Sequence, residues 1–147
     1  MSFLHHLKLS LFGHVPPPRV QGGGALIVTA RVDRIEKHPN ADRLRVVSVT
    51  TGSSIVSPVV CGATNFKEGD VVALALPGAT IAQNVHSEEH ESFVLERAII
   101  RGVESQGMMC AAFELGLTQV PETKEEGILV FPVGTKLGVD VYKLAPE

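Results

Sequence analysis

Basic side chains are concentrated early in the β-branched part of the sequence. Five of them fall within residues 31–45, namely Arg31, Arg34, Lys37, Arg43 and Arg45. Clustered guanidinium and ammonium groups bind phosphates, so one hypothesis is a track for a nucleic-acid backbone. The alternative is a solvated outer face of the fold, which for any single member of the group is about as common. Arg43 and Arg45 are predicted to share one face of a strand, because strand side chains alternate.

Two predicted loops carry further polar candidates. Asn40 and Asp42 lie in the turn HPNAD at 38–42, where such side chains usually hydrogen-bond to nearby backbone. Asn40 could in addition contact a ligand. Asn65 and Lys67 lie in the loop GATNFKEGD at 62–70. There Lys67 would either meet a phosphate or be an ordinary solvated side chain.

The other reactive residue types do not form a catalytic or metal-binding pattern. His86 and His90 flank two glutamates, but a metal site needs ligands held rigidly, and we expect no metal and no cofactor. Cys61 and Cys110 are far apart in sequence and are expected to be reduced and buried. The sequence has no glycine-rich phosphate loop and no Ser/His/Asp arrangement, so it is not expected to be an enzyme by itself.

Composition indicates one folded domain rich in strands and turns. The 147 residues are 44% apolar and 20% charged, and 14 Gly and 9 Pro suit short strands joined by tight turns. The net charge is −3 at pH 7, which argues weakly against a protein that coats nucleic acid. A local basic face remains possible because many acids lie elsewhere, at Glu88, Glu89, Glu91, Glu122, Glu125 and Glu126.

The apolar pattern predicts a sheet protein after an N-terminal linker. Strands are predicted at 25–36, 43–50, 55–61, 71–76, 93–101 and 128–131, with one helical turn at 64–68 and a short helix at 112–116. Pro58 predicts an edge position or a bulge for its strand. The alternation slips at Val46 and Val47, which a bulge or burial on both faces would explain. The PPP at 16–18 and GGG at 22–24 predict an extension and linker over 1–24 and a domain over 25–147.

Three segments together resemble a known family. They are VDRIEKHPNADRLRVVSV at 32–49, VVCGATNFKEGDVVALALPGA at 59–79 and IIRGVESQGMMCAAFELGL at 99–117. They resemble the tRNA-binding domain of the bacterial phenylalanyl-tRNA synthetase β subunit, a domain type also found in free-standing tRNA-binding proteins. The chain departs from that family in its first 24 residues and in the longer, more acidic loop at 79–92. The resemblance implies an all-β fold: a five-stranded Greek-key OB-fold barrel with a short helix and extra terminal strands.

The resemblance also implies a partner and a site. The partner is tRNA, held without catalysis in the cytoplasm, with a second copy of the chain or a synthetase subunit as a protein partner. No membrane is expected, because the start of the chain is too short and too polar to span one. The implied tRNA-binding residues are Arg31, Lys37, Asn40, Arg43, Arg45, Asn65, Lys67, Arg101, Ser105, Gln106 and Met108.

Four residues within the third segment have expected roles. Ser105 and Gln106 are expected at an exposed corner as hydrogen-bonding groups, and Met108 is expected under a base. The alternative for Met108 and Met109 is core packing, which we expect for at least one of them. Gly107 is expected where a Cβ would clash.

An architectural module without RNA affinity is the competing interpretation. The acidic net charge and the few aromatic residues favour it, because base stacking needs exposed rings. Trp is absent, one Tyr and six Phe are present, and Phe66 and Phe93 are expected to be buried. If tRNA binds, its shape and backbone are therefore the expected features recognised. A contiguous positive patch of Arg31, Arg43, Arg45, Lys67 and Arg101 would favour binding, and dispersal of these cations among acids would favour the architectural role.

Overall fold

Nearly all regular structure in the described part of the chain is β. The computed structural model describes residues 26–85, 88–118 and 127–144, so the predicted extension and linker at 1–24 lie outside the described residues. The strands are β1 Ile27–Lys37, β2 Arg45–Thr50, β3 Ile55–Cys61, β4 Val71–Ala75, β5 Thr80–Ile81, β6 Phe93–Val94, β7 Ala98–Ile100, β8 Val103–Ser105, β9 Met108–Met109 and β10 Val130–Phe131, followed by a 3-10 helix at Val141–Lys143. The predicted all-β class is confirmed.

The long strand β1 organises the main sheet. Its C-terminal half pairs antiparallel with β2, ending with Lys37 opposite Arg45, and its N-terminal half pairs antiparallel with β4. The strand order is β10-β4-β1-β2-β3, and β9 pairs with the end of β4. The β-branched residues that dominate these segments favour a pleated surface on which they pack against their neighbours. Strands β5 and β6 form one small sheet, and β7 and β8 form another.

Strand β4 lies between two hydrophobic clusters. Its residues Val72 and Leu74 pack in one cluster, with Val47 and Val59. Its alternate residues Val71, Ala73 and Ala75 pack in the other cluster, which extends to strands β6, β7 and β9. Burial on both faces explains why the sequence VVALA shows no polar alternation.

Strand β3 has the irregularity that its proline predicts. It forms the end of the strand order, so Pro58 occupies an edge strand. Val47 lies opposite Val59, whereas Val49 lies opposite Val56, so β3 carries one extra residue between these pairs. The two predictions for Pro58, an edge strand and a bulge, are both confirmed. In β2 itself the alternation is regular, because Val47 and Val49 are buried and Val46, Ser48 and Thr50 on the other face are half-buried. Partial burial of the second face, and not a bulge in β2, explains the adjacent valines Val46 and Val47.

Strand β3 and the β8–β9 segment approach each other without forming a ladder. The Gln106 N–H donates to the Pro58 carbonyl at 2.8 Å, and the Val60 N–H donates to Ser105 Oγ at 3.0 Å. Pro58 favours this arrangement because it has no N–H to offer a neighbouring strand. Among the described residues, no strand ladder joins β3 to β8 or β9, so the predicted barrel is not closed on this side, as OB folds can be partly open.

Two local predictions of secondary structure are wrong. Residues 112–116 form successive turns instead of a helix, with Leu115 N–H donating to Ala112 O at 3.1 Å and Gly116 N–H donating to Phe113 O at 3.0 Å. The predicted strand at 93–101 is interrupted, because residues 95–97 leave the sheet between β6 and β7. The helical turn predicted at 64–68 is an irregular loop, and the loop predicted at 79–92 contains β5.

The C-terminal segment at 136–140 hydrogen-bonds to the N-terminal half of β1, which β2 does not reach. Thr29 is fully buried, and its Oγ1 donates to Lys136 O at 2.7 Å and accepts from the Val139 N–H at 3.1 Å. Its backbone N–H and C=O also bond to this segment, and Val28 forms a bridge with Asp140. Four hydrogen bonds on one residue fix the segment against β1, far from the end of β1 that carries Lys37.

Candidate nucleic-acid interface

Two loops meet at the end of the β1–β2 hairpin. The loop at 38–44 is closed by the His38 N–H donating to Leu44 O at 3.2 Å. Asn40 Nδ2 donates to Arg101 O at 2.9 Å, and Arg101 Nη2 donates to Asn40 O at 3.4 Å. These contacts join the hairpin loop to the turn between β7 and β8, although 61 residues separate Asn40 from Arg101. We call the group Lys37, Asn40, Arg43 and Arg101 the basic corner.

Ion pairing divides the predicted cations into two groups. Arg31 pairs with Asp33 at 2.8 Å and Lys67 pairs with Asp70 at 3.2 Å. Within the described ranges, Lys37, Arg43 and Arg101 form no salt bridge, and all three side chains belong to exposed residues. The predicted patch of five cations is therefore partly neutralised, and the predicted site cations that are both exposed and unpaired within the described residues are those of the basic corner.

Arg45 is held inside the hairpin and does not extend into solvent. Its Nη2 donates to Ala63 O at 2.9 Å, and its guanidinium carbon lies 4.6 Å from the centre of the Phe66 ring. This cation–π contact fixes the side chain across the loop that contains Phe66. Arg43 lies in the turn before β2, so the predicted strand alternation does not apply to it. The expectation that Arg43 and Arg45 form one exposed strand face is wrong.

Arg101 has an unusual backbone conformation. Its φ is +53°, in the left-handed region that costs a residue with a Cβ about 1 kcal/mol or more. The following Gly102 has φ +92°, and both residues form the tight turn between β7 and β8. Non-glycine residues in this region are concentrated at functional sites, where the surrounding structure holds them in place. Here the Asn40 side chain supplies one such restraint.

Two of the predicted site residues are buried and have structural roles. Ser105 and Met108 are each 1% exposed, which corrects their placement at a surface that touches RNA. Ser105 Oγ accepts from the Val60 N–H and donates to Gly107 O at 2.9 Å, so both its hydrogen-bonding directions are used. Met108 packs in the same hydrophobic cluster as Ala75 of β4 and Ile100 of β7, and Met109 is also buried. Strands of two or three residues are too short for the sequence pattern to predict which of their side chains are buried.

Asn65 is engaged at both ends of its side-chain amide. Its Oδ1 accepts from the Ile128 N–H at 3.0 Å and its Nδ2 donates to Ile128 O at 2.9 Å. The amide therefore imitates a strand partner just before β10. A Cβ on Gly127 would collide with this side chain. The geometry assigns Asn65 to the attachment of β10, which uses its amide oxygen and one of its two amide hydrogens.

Gln106 and Gly107 lie at the corner where β8 turns into β9. Gln106 is half-buried, and its Nε2 lies 3.4 Å from the backbone and side-chain oxygens of Glu104. A carboxylate beside it makes this corner a poor place for a phosphate. A Cβ on Gly107 would lie 2.8 Å from the Ala75 carbonyl oxygen, so the predicted steric need for glycine is confirmed.

Aromatic platforms are scarce in the described part of the chain. Phe66 and Phe93 are each 5% exposed, as we expected. Tyr142 is the one aromatic residue among the large exposed apolar side chains there, and its hydroxyl donates to Leu115 O at 2.9 Å. It lies on the 3-10 helix near the C-terminal segment, away from the basic corner. The corner therefore offers charge and hydrogen bonds, but no base-stacking ring.

The remaining reactive groups are inert or dispersed. Cys61 and Cys110 are free and buried, and burial raises the pKa of the Cys61 thiol to about 11 and raises that of Cys110 as well. Both thiols are therefore protonated at neutral pH and are poor nucleophiles. Over residues 26–85, 88–118 and 127–144, no three His, Cys, Asp or Glu side chains converge as a metal site would require. In the same ranges no helix is long and apolar enough to cross a membrane.

Comparison with known proteins gives a consistent family assignment. Residues 27–140 match the family model described as "Putative tRNA binding domain". The chain is 43% identical over 117 residues to the phenylalanine–tRNA ligase β subunit of Chlamydia pneumoniae, a match that covers 80% of this chain and 14% of that protein. The corresponding subunit of Bdellovibrio bacteriovorus is 40% identical over 112 residues, covering 76% of this chain and 12% of the subunit.

A third relative extends the similarity along the chain. The β subunit of Clostridium tetani is 34% identical over 139 residues, covering 93% of this chain and 16% of that protein. Because residues 25–147 alone are fewer than 139, this match includes part of the first 24 residues, where we expected no similarity. The chain spans only 12–16% of the length of these three relatives. Since the family model covers most of the chain, the protein belongs to the family of tRNA-binding domains of the type found in phenylalanine–tRNA ligase β subunits.

Proposed function

We propose that the chain binds tRNA through the basic corner and contacts its phosphate backbone. The observation that carries this proposal is the division of the predicted cations: Lys37, Arg43 and Arg101 are exposed, unpaired within the described residues and placed on two loops that touch, whereas Arg31 and Lys67 have carboxylate partners. Phosphates supply the negative charge that these three cations lack. Asn40 adds a backbone-fixed polar group between them. The scarcity of exposed rings supports recognition of shape and backbone over base sequence.

The position of the corner supports the same function. In OB folds, the loop between the first two strands is one of the loops that bind oligonucleotides. Here it is the hairpin loop at 38–44, and the turn between β7 and β8 carries Arg101 beside it. The structure joins these two loops through Asn40 and Arg101. A tRNA backbone that follows the joined loops would meet all three cations.

We further propose that the chain acts as a binding module within the cytoplasmic machinery of aminoacylation. In this proposal, residues 25–147 form the module and residues 1–24 are an extension. Its protein partner would be a ligase subunit or a second copy of the chain. The chain would not carry out aminoacylation, because the family it belongs to is a binding domain.

An architectural role is the second candidate. It is favoured by the ion pairs of Arg31, Arg34 and Lys67, which reduce the free positive charge of a protein whose net charge is already −3. In that role the open edge of the main sheet would dock on a protein, and RNA affinity would be absent. One titration separates the two candidates.

The test is the affinity for fluorescently labelled total tRNA, measured by anisotropy at about 50 mM and about 200 mM salt. Three phosphate contacts predict an affinity roughly 40-fold lower at the higher salt, because each contact releases condensed counterions. A saturable binding curve with this salt dependence would support the proposal. Absence of binding at the lower salt would contradict it and favour the architectural role.

Arg101→Gly is expected to separate stability from binding. Glycine adopts a positive φ freely, so the free energy of unfolding should stay the same or rise by up to about 1 kcal/mol. Loss of the guanidinium should weaken tRNA binding by about fivefold to tenfold. Urea denaturation and tRNA titration measure the two effects. The stability control is Arg97→Gly, an exposed arginine outside the positive-φ residues, which should lose stability because glycine is more flexible when unfolded. A stability loss in Arg101→Gly as large as in Arg97→Gly would contradict the assigned strain.

A further inference from the structure

His38 is a buried residue whose role the sequence does not reveal. It directly follows β1, and it is 2% exposed although the surrounding loop is open to solvent. Its Nδ1 accepts from the Asn40 N–H at 2.9 Å, and its Nε2 lies 3.0 Å from the Ile100 carbonyl oxygen. A carbonyl oxygen can only accept, so Nε2 carries the proton and donates. An acceptor nitrogen carries none, so Nδ1 is bare, and the two contacts together require the neutral ring in one tautomer.

The two hydrogen bonds of His38 span different distances along the sequence. The bond to Asn40 shapes the hairpin loop itself. The bond to Ile100 spans 62 residues of sequence and ends immediately before Arg101. Inside the protein, the imidazole therefore joins the same two loops that the Asn40–Arg101 contacts join at the surface. These contacts together determine the spacing between the cations on the two loops.

We propose that His38 is a positioning residue for tRNA binding, and that it holds the two loops of the basic corner together while its ring is neutral. The inference rests on the proposed function, and it adds a regulatory property to the same site. It predicts that acid weakens binding through the geometry of the loops.

Protonation is incompatible with the observed contacts for a geometric reason. A second proton on the ring would sit on Nδ1 and face the Asn40 N–H, so two donors would oppose each other in a site that water does not reach. The segments that meet at the ring carry Glu36, Lys37, Asp42 and Arg43 on its own strand and loop, and Arg101 and Glu104 on the facing hairpin. These three cations and three carboxylates balance, so the conflict at Nδ1 carries the effect. A charged ring is therefore accommodated when the loops separate.

The change in tRNA affinity expected from His38 on acidification is opposite in sign to the change expected from net charge alone. Acidification adds positive charge to a protein and ordinarily strengthens its binding to RNA. If His38 holds the loops together, tRNA affinity at low salt should instead be lower at about pH 5.5 than at about pH 8, because a doubly protonated ring cannot accept the Asn40 N–H.

Two isosteric variants separate the two hydrogen bonds. In His38→Gln the side-chain amide nitrogen can occupy the position of Nε2 and keep the bond to Ile100 O. In His38→Asn the amide can occupy the position of Nδ1 and keep the bond to Asn40, but it loses the link to the other loop. We expect His38→Gln to bind tRNA within about threefold of the unaltered chain and without the acid-induced loss. We expect His38→Asn to bind about fivefold to tenfold more weakly at pH 8.

The deciding measurements are tRNA titrations of the three proteins at both pH values, with folding checked by circular dichroism. Equal or tighter binding of the unaltered chain at pH 5.5, or an acid-induced loss of the same size in His38→Gln, would overturn the inference. A reporter without RNA is the amide NMR shift of Gly102, which should move between the two pH values in the unaltered chain and stay constant in His38→Gln. If tRNA does not bind at all, the proposed function fails, and the Gly102 shift still decides whether His38 links the loops.

Discussion

Replacement of both Lys37 and Arg43 by glutamate is expected to weaken tRNA binding by at least about a hundredfold at low salt. Each substitution removes one phosphate contact and adds a repulsive charge at the same place. The salt dependence should fall as well, since fewer counterions are released when fewer phosphates are neutralised. Both residues are exposed and form no ion pair within the described residues, so the free energy of unfolding should change by less than about 0.5 kcal/mol.

The matched control carries the same change of charge at the other end of β1. Lys136 and Lys143 are exposed, and both lie in the C-terminal region that packs on the N-terminal half of β1. From Val28 to Lys37, β1 rises about 30 Å, which exceeds the distance over which charges interact in physiological salt. Lys136→Glu with Lys143→Glu should therefore reduce affinity by less than about threefold. Equal losses in the two double variants would show that tRNA responds to net charge and does not select the basic corner.

Ser105→Ala is expected to lower the free energy of unfolding by about 2–4 kcal/mol. The hydroxyl of Ser105 accepts from the Val60 N–H and donates to Gly107 O, and all three groups are buried. Alanine leaves a backbone donor and a backbone acceptor without partners where water cannot replace the hydroxyl. The loss falls at the open side of the main sheet, where this side chain takes the place of a strand ladder.

The control for Ser105→Ala is Ser53→Ala, in the exposed turn between β2 and β3, where the change should be within about 0.5 kcal/mol. Urea denaturation compares the two variants. Under conditions where Ser105→Ala stays folded, its tRNA affinity should match that of the unaltered chain, because the hydroxyl is directed inward. A stable Ser105→Ala protein with weakened tRNA binding would contradict this role and indicate that Ser105 contacts tRNA.

Much of the β framework is predictable because it depends on local patterns. β-Branched runs give β1 to β4 to within two residues at each end, and β3 matches its predicted bounds fully. Pro58 indicates both the edge and the bulge, because a residue without an N–H fits poorly in a central strand. The all-apolar stretch at 71–76 becomes a strand buried on both faces. The family also follows from sequence, since three motifs occur in one order along the chain.

The identity of the free cations depends on tertiary contacts. Arg31 and Lys67 have acids two and three residues away, and the backbone conformation decides that each pair is within reach. Arg45 differs from Arg43 only in being the first residue of β2, which turns its guanidinium onto Phe66. A single sequence does not distinguish these outcomes, because charge type and spacing are the same for paired and unpaired residues.

The sequence by itself determined the strand content, the family and the set of polar residues from which an interface could be built. The tertiary structure alone decided that Ser105 and Met108 are buried, that Asn65 attaches β10, and that the 38–44 loop meets the turn at Arg101. The physical reason is the separation along the sequence over which each interaction acts. Strand propensity and turn chemistry act between near neighbours, whereas the contacts of His38, Asn40 and Asn65 join residues 61 to 63 positions apart. Such contacts arise only when the whole sheet places distant loops side by side.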